Sequence, residues 1–254
     1  MANTDSAELY DFFHRMPRQG PGSPRNTAAC IDLVRPFLPP APRILEIGAG
    51  TGDSAIEIAQ RLPGHIIALD IDEKALDILT ANAIRYGVND RITTCVGSMT
   101  DLRFSRGSFD LIWSETAAYF MGFRQALEYW RQFLRKNGLL VVSELSWLRE
   151  NPPEDAMAFW DMEYPAMAHL ETNLWQVHAA GFTILESFVL DREEWESHYY
   201  SPMEKLITER LQEDAENPRL RALCEQLSQE IDLFRRYSPW FGFVVIIARK
   251  TMAA

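Results

Sequence analysis

The chain has 254 residues, of which 47% are hydrophobic and 24% charged, with a formal charge of −11 at neutral pH. That balance excludes a fibrous repeat or a largely disordered chain and admits one sizeable globular core. The acidic excess also works against nucleic acid or anionic membranes as partners, because both demand a basic face.

Residues 1–25 hold Asp5, Glu8 and Asp11 near their start and a Pro/Gly-rich stretch from Pro17 to Pro24. They lack the basic-then-apolar order of a secretory signal, and no apolar run in the chain approaches bilayer length, so a cytoplasmic protein is expected. Residues 26–38 then place Ala29, Leu33, Val34 and Phe37 on one helical face, ended by Pro39, Pro40 and Pro42. Short apolar runs alternate with helical patterns from there: strand 43–47, helix 53–62, strand 65–70, helix 73–86, strands 91–96 and 109–114, helix 122–135 and strand 138–144. This alternation predicts βαβ units and a parallel sheet covered on both faces. From 145 to 170 an aromatic, proline-containing insertion breaks the pattern. Helix 170–180, strand 182–190, a helical stretch 203–236 interrupted near Asn217-Pro218, and a closing strand 240–249 complete the chain. Cys30, Cys95 and Cys224 lie in neither CxxC nor CxxH spacing, so no disulfide framework and no metal site are expected.

The chemistry concentrates where the first strand meets Gly48-Ala49-Gly50-Thr51-Gly52 and a helix begins at Asp53 or Ser54. Glycines there permit a tight turn and let a ligand approach the backbone, and the crevice at the carboxyl ends of a parallel sheet is where ligands bind. The second strand ends at Asp70, eighteen residues past Gly52, where a carboxylate can accept from both ribose hydroxyls. A dinucleotide fingerprint is disfavoured by Asp53, whose charge opposes a pyrophosphate at the helix start. A phosphate-cradling loop with Gly-Lys-Ser/Thr is removed, since no lysine precedes Lys74. A ribose-bearing ligand with positive rather than phosphate groups would tolerate Glu46, Asp53 and Asp70.

Leu45-Glu46-Ile47-Gly48-Ala49-Gly50-Thr51-Gly52 resembles the glycine motif of class I S-adenosylmethionine-dependent methyltransferases, in particular a small-molecule subgroup of them. Ala68-Leu69-Asp70-Ile71, Val96-Gly97-Ser98-Met99 and Phe109-Asp110-Leu111-Ile112-Trp113 follow in the order of that family, over about residues 25–250. The resemblance implies a doubly wound, mostly parallel, seven-stranded Rossmann-like α/β sheet, with an N-terminal helical lid and helical insertions. It implies a lid segment at 1–25 and a single methyltransferase domain at 26–254, with insertions at 145–170 and 200–238.

It also implies S-adenosyl-L-methionine as cofactor, S-adenosyl-L-homocysteine as its product, and a set of contacts. Glu46, Gly48, Gly50 and Gly52 would line the methionyl end, Asp70 the ribose, Ile71 the adenine face, and Ser98 and Met99 the adenine edge. Many relatives carry Asp where this chain has Ser98, a weaker acceptor. Arg18, in Arg18-Gln19-Gly20-Pro21-Gly22-Ser23, would meet the methionyl carboxylate from a lid, and Ser114 completes the cofactor set.

Methyl transfer needs a nucleophile held about 3 Å from the methyl carbon with water excluded, with a base only for a protonated acceptor. Glu115, His198 and Tyr199 are the candidate catalytic residues, and Tyr119, Trp147, Trp195 and Tyr200 the candidate acceptor contacts. The aromatic share of 147–164 and 195–200 predicts a closed, mostly apolar cavity for a small, uncharged or weakly polar molecule. The methylated atom, O, N, S or C, is not specified by these residues, and monomer and homodimer are equally open. A nicotinamide-dependent oxidoreductase and a non-catalytic S-adenosylmethionine-binding protein are the alternatives.

Overall fold

The computed structural model describes residues 6–251; residues 1–5 of the expected lid segment, Asp5 among them, and 252–254 lie outside the described residues. The chain opens with α1 (Ser6–Arg15) and α2 (Pro24–Val34), followed by β1 (Arg43–Ile47), α3 (Asp53–Arg61), β2 (His65–Asp70), α4 (Glu73–Arg85), β3 (Ile92–Val96) and β4 (Phe109–Ser114). α5 (Phe123–Trp130), β5 (Leu134–Trp147), α6 (Glu154–Glu163), β6 (Ala168–His169), α7 (Leu170–Ala179) and β7 (Phe182–Val189) come next. α8 (Arg192–Trp195), α9 (Ser201–Glu213), α10 (Pro218–Tyr237) and β8 (Phe241–Lys250) close it.

The strands form one sheet in the order β3-β2-β1-β4-β5-β8-β7. β1 to β5 run parallel to their neighbours, and β8 lies antiparallel to both β5 and β7. β1 shows why: Ile44 packs into the core on one face while Leu45 and Ile47 pack into the core on the other. A strand covered on both sides reads as a continuous apolar run. The helix starts are equally local. Ser23 caps α2 ahead of Pro24, Asp72 accepts from the Lys74 and Ala75 amides at α4, and Asn217 caps α10 ahead of Pro218.

The chain winds from β1 outward to β3, then crosses back to β4 beside β1. The order therefore reverses between β1 and β4, and their carboxyl ends open a crevice there. α1 is fastened beside it by His14 Nε2 to Asp72 Oδ2, 2.5 Å, and by Arg210 to Asp11, 3.1 Å.

Three segments differ from the expected pattern. The strand expected at 138–144 runs from Leu134 to Trp147, because Asn137 takes a φ of +60° and a register shift against β4 absorbs the irregularity. The helix expected at 122–135 stops at Trp130 and passes into one tight turn. The 145–170 insertion contains α6, and a short eighth strand, β6, pairs with the extension of β5.

Trp130 is fully buried under the sheet, and its Nε1 donates to Met99 O at 3.1 Å, fixing the loop after β3. Trp130→Ala is expected to cost about 3–5 kcal/mol of stability. It should appear in urea unfolding as a lower midpoint with an unchanged slope.

Candidate functional site

Gly48, Gly50 and Gly52 all have positive φ, +75°, +51° and +97°. At Gly50 the turn coincides with close approach: a Cβ there would lie 2.2 Å from Gln19 Oε1. The Gly48 and Ala49 amides donate to Leu69 O, tying the loop to β2, and the Gly50 amide donates to Asp70 Oδ2 at 2.8 Å. Asp70 Oδ1 accepts from the Asp72 amide at 3.0 Å. The strand-end carboxylate and the glycine turn thus meet in one place.

A cavity of about 420 Å³ opens beside them. Its walls include Gly48, Gly50, Asp53 and Asp70 on the β1–β2 side, Ser98 and Met99 after β3, and Glu115, Thr116 and Phe120 after β4. Ile71 is 67% exposed, offering an apolar face at the rim. Asp53, Asp70 and Glu115 face the space, and among the described residues that line it Arg18 is the one cation. Burial, offset in part by Arg18, pushes the Asp53 carboxyl up to about 6.

Residues 18–20 fold over this cavity. Gln19 Oε1 accepts from the Thr51 amide at 3.1 Å while its Nε2 donates to Phe13 O. A Cβ on Gly20 would collide with Thr116 Oγ1, and Thr116 itself holds a φ of +52° with its amide donating to Ser143 Oγ at 2.8 Å. A β-branched residue in that backbone region is strained, so the surrounding contacts hold it there against the lid. Arg18 pairs with Glu115, and Glu115 Oε1 also accepts from Thr27 Oγ1 at 3.0 Å and Trp113 Nε1 at 2.9 Å. All of this is packing of distant segments, so Gln19 and Thr116 carry no local sequence signal that marks them as site residues.

Of the residues singled out from sequence, Arg18, Gly48, Gly50, Asp70, Ile71, Ser98, Met99 and Glu115 line the cavity together. Others do not reach it. Ser114 is fully buried and donates to Ile47 O, and Gly52 packs against Leu79. Glu46 sits behind the loop, accepting from Ser54 Oγ at 2.5 Å, with Oε2 buried and unpartnered. Trp147 packs against Phe241, and Trp195 lies among Tyr200, Phe234 and Phe243. His198 is exposed, hydrogen-bonded to Ser197 and to Glu194 O, and does not line the cavity. The reason is helical spacing: when Trp195, Tyr199 and Tyr200 turn into the core, the residue between them is turned outward. Tyr199 and Tyr200 are buried, Tyr119 is half-buried with its ring 4.2 Å from that of Phe120, and none of the three lines the cavity.

Burial also raises the Glu46 carboxyl from its ordinary 4.5 to about 8. The folded chain therefore keeps a proton that the unfolded chain releases, so this contribution to stability is complete below about pH 4.5 and is lost as pH rises to about 8. Glu46→Gln is expected to flatten part of the fall in Tm between pH 5 and 8, measured by calorimetric scans of both proteins. Glu144 and Glu230, raised to about 8 and about 7 by burial, act in the same direction and leave the remainder.

Among the described residues, no group of three His, Cys, Asp or Glu side chains is placed to hold a metal ion, and no helix is long and apolar enough to cross a membrane.

Residues 44–138 match the family model of a methyltransferase domain. A ribosomal protein L11 methyltransferase of Pelotomaculum thermopropionicum is 29% identical over 93 residues, 37% of this chain and 30% of the relative, so the chain spans under a third of that relative's length. A 27-O-demethylrifamycin SV methyltransferase of Amycolatopsis mediterranei is 25% identical over 227 residues, covering 82% of this chain and 77% of the relative. The same fold occurs in the crystal structure of an S-adenosylmethionine-dependent methyltransferase from Geobacter sulfurreducens in complex with S-adenosyl-L-homocysteine. Its TM-score is 0.83 at 17% identity, with 95% of this chain and 97% of that one covered.

Proposed function

We propose that the chain is a class I S-adenosylmethionine-dependent methyltransferase that transfers a methyl group to a small-molecule acceptor, a reading supported by the methyltransferase-domain match and the shared fold. The observation that carries the reading is the meeting of Asp70 and the Gly50 turn, 2.8 Å apart, on one cavity at the point where strand order reverses. A glycine cradle, a ribose-facing carboxylate and an acid-rich wall fit a nucleoside with positive groups.

Bound there, S-adenosylmethionine supplies an electrophilic methyl group on a sulfonium. The residues' part is to bind, orient and exclude water. Gly48 and Gly50 admit the methionyl chain to the backbone, Asp70 takes the ribose hydroxyls in place of the Gly50 amide, and Ile71 and Met99 flank the adenine. Ser98 stands at the adenine edge as a hydroxyl acceptor. Asp53 and Glu115 oppose the positive groups, and Arg18 is the cation within the wall available to the methionyl carboxylate. Gln19 and Gly20 close the top and keep water out. With three donors already on it, Glu115 is a positioning carboxylate rather than a free base.

The acceptor is a small molecule by two further supports. The chain carries −11 charges, against polyanions, and the relative aligned over most of its length is named for a small-molecule reaction. The domain reading follows: residues 26–254 act as one methyltransferase unit, with 6–25 as its lid. A cytoplasmic monomer or homodimer without nucleic-acid or membrane partners completes the proposal.

Calorimetry with S-adenosyl-L-homocysteine and fluorescence with NADH test it directly. Heat from the first and no response to the second are expected, followed by turnover on at least one member of a panel of amines, thiols, phenols and carboxylates. Tight NADH binding with no heat from S-adenosyl-L-homocysteine overturns the reading, whereas cofactor binding without any turnover favours a non-catalytic binding protein.

A further inference from the structure

The cofactor cavity has one wall that the contacts proposed above leave unused. Tyr10, on α1, lines it together with Ile71, and both are exposed, Tyr10 by 45% and Ile71 by 67%. A second cavity, along the start of α4, is bordered by the same pair, and among the described residues these two are the ones common to both cavities. They therefore stand at the boundary where the two spaces meet. A single exposed aromatic residue on a protein surface needs no explanation. Two large apolar side chains on the edge of one cavity, beside the carboxylate proposed for the ribose, offer a surface that a flat ring can cover.

Tyr10 is not what fastens α1. Phe12 and Met16 of the same helix are buried in the core, and Leu9 and Phe13 pack against it. Arg210 holds Asp11 at 3.1 Å, and His14 Nε2 meets Asp72 Oδ2 at 2.5 Å, with both of those side chains largely buried. His14 lies one turn beyond Tyr10, and the two rings stack with centroids 6.2 Å apart and planes 26° apart. The Asp72 amide in turn donates to Asp70 Oδ1 at 3.0 Å. Three consecutive residues thus serve three neighbours: Asp70 meets the glycine turn, Ile71 lines the cavity rim, and Asp72 holds the helix that carries Tyr10. Tyr10 is placed at the cavity edge by groups other than itself, so its exposed ring area is available to a ligand.

We propose that Tyr10 is a cofactor-binding residue that closes the base end of the site: its ring packs on the adenosine moiety beside Ile71, so the lid recognises the nucleoside as well as covering the methionyl end. The inference rests on the methyltransferase reading. Tyr10 lies outside the matched residues 44–138, so the domain pattern assigns it nothing. Covering Tyr10 and Ile71 with the base excludes water from the side on which Asp70 accepts the ribose hydroxyls, and hydrogen bonds strengthen as the local dielectric falls. The latch between His14 and Asp72 positions the aromatic ring without touching the ligand itself.

The test is calorimetry on the full chain with two probes, S-adenosyl-L-homocysteine and 5′-deoxy-5′-methylthioadenosine, which keeps the adenosine and lacks the amino-acid end. Tyr10→Ala is expected to weaken both by a similar factor, about tenfold, as loss of an aromatic contact with a base does. Tyr10→Phe keeps the ring and should bind both as the unmodified protein does. The unliganded Tyr10→Ala protein should unfold at nearly the same temperature, because Tyr10 lies outside the core. A large fall in that temperature alongside the lost affinity would mark the residue as structural and overturn the assignment. Unchanged affinity in Tyr10→Ala overturns it and leaves the methyltransferase reading in place, as does an equal loss in Tyr10→Phe, which would place the effect on the hydroxyl. A loss confined to S-adenosyl-L-homocysteine, or no binding of the thioadenosine by the unmodified protein, also overturns it, since the nucleoside would then not be the part that is gripped. Failure of the unmodified protein to bind S-adenosyl-L-homocysteine removes the methyltransferase reading and the inference with it.

Discussion

Asp70→Ala is expected to weaken S-adenosyl-L-homocysteine binding by roughly 30- to 1,000-fold. On the proposed reading the carboxylate accepts both ribose hydroxyls, and hydrogen bonds to a charged acceptor contribute about 1.5–3 kcal/mol each. The two bonds are not additive, so about 2–4 kcal/mol is the reasonable range, and each 1.4 kcal/mol is tenfold. Asp70 also holds the Gly50 amide and the Asp72 amide, so part of the loss comes from a loosened loop. Asp70→Asn separates the two parts, because an amide oxygen can still accept from the Gly50 amide while the charge is gone. Calorimetric Kd values for the three proteins check the prediction. An unchanged Kd in Asp70→Ala would mean that the nucleoside sits elsewhere.

Gly50→Val should abolish cofactor binding altogether, by more than about a hundredfold. Three penalties coincide. A β-branched residue at φ +51° is strained by about 1–3 kcal/mol. Its Cβ would meet Gln19 Oε1 at 2.2 Å, and its methyl groups would project into the cavity that the ligand needs. Pairing Gly50→Ala with Gln19→Ala distinguishes the causes. The second change removes the collision with the lid, so affinity should recover in part over Gly50→Ala alone, leaving the backbone strain and the lost space. Far-UV circular dichroism establishes that each variant is folded before its Kd is compared. Recovery to full affinity would show that the lid contact, and not the glycine conformation, governs binding.

The half of the candidate site at the ends of β1 and β2 was legible because its signals are local. Strands 43–47, 65–70 and 109–114 stand at their expected boundaries, since burial on both faces leaves uninterrupted apolar runs. The glycine turn and Asp70 sit at strand ends, and any parallel sheet that pairs β1 with β2 brings such ends together. The acceptor half was not legible in the same way. An aromatic-rich stretch such as 195–200 shows that something is packed, not which ring faces which space. Trp195 and Tyr200 lie in the core and His198 in solvent, although all three stand within six residues. Glu230 is hidden in an amphipathic helix, where a charged residue ordinarily reads as solvated surface.

Sequence alone thus determined the sheet, its order of elements, the glycine turn and the carboxylate that follows it, because each is set by backbone conformation or by neighbours a few residues away. Tertiary structure decided that Gln19 rests on Gly50, that Arg18 is held by Glu115, and that Tyr164 donates to Glu144 and Tyr200 to Glu230. Those contacts join distant parts of the chain, and the burial of Glu144 arises only when the segment carrying Tyr164 closes over β5. Local pattern carries no record of what will lie across a cavity, so the residues that face one another there become readable only after folding.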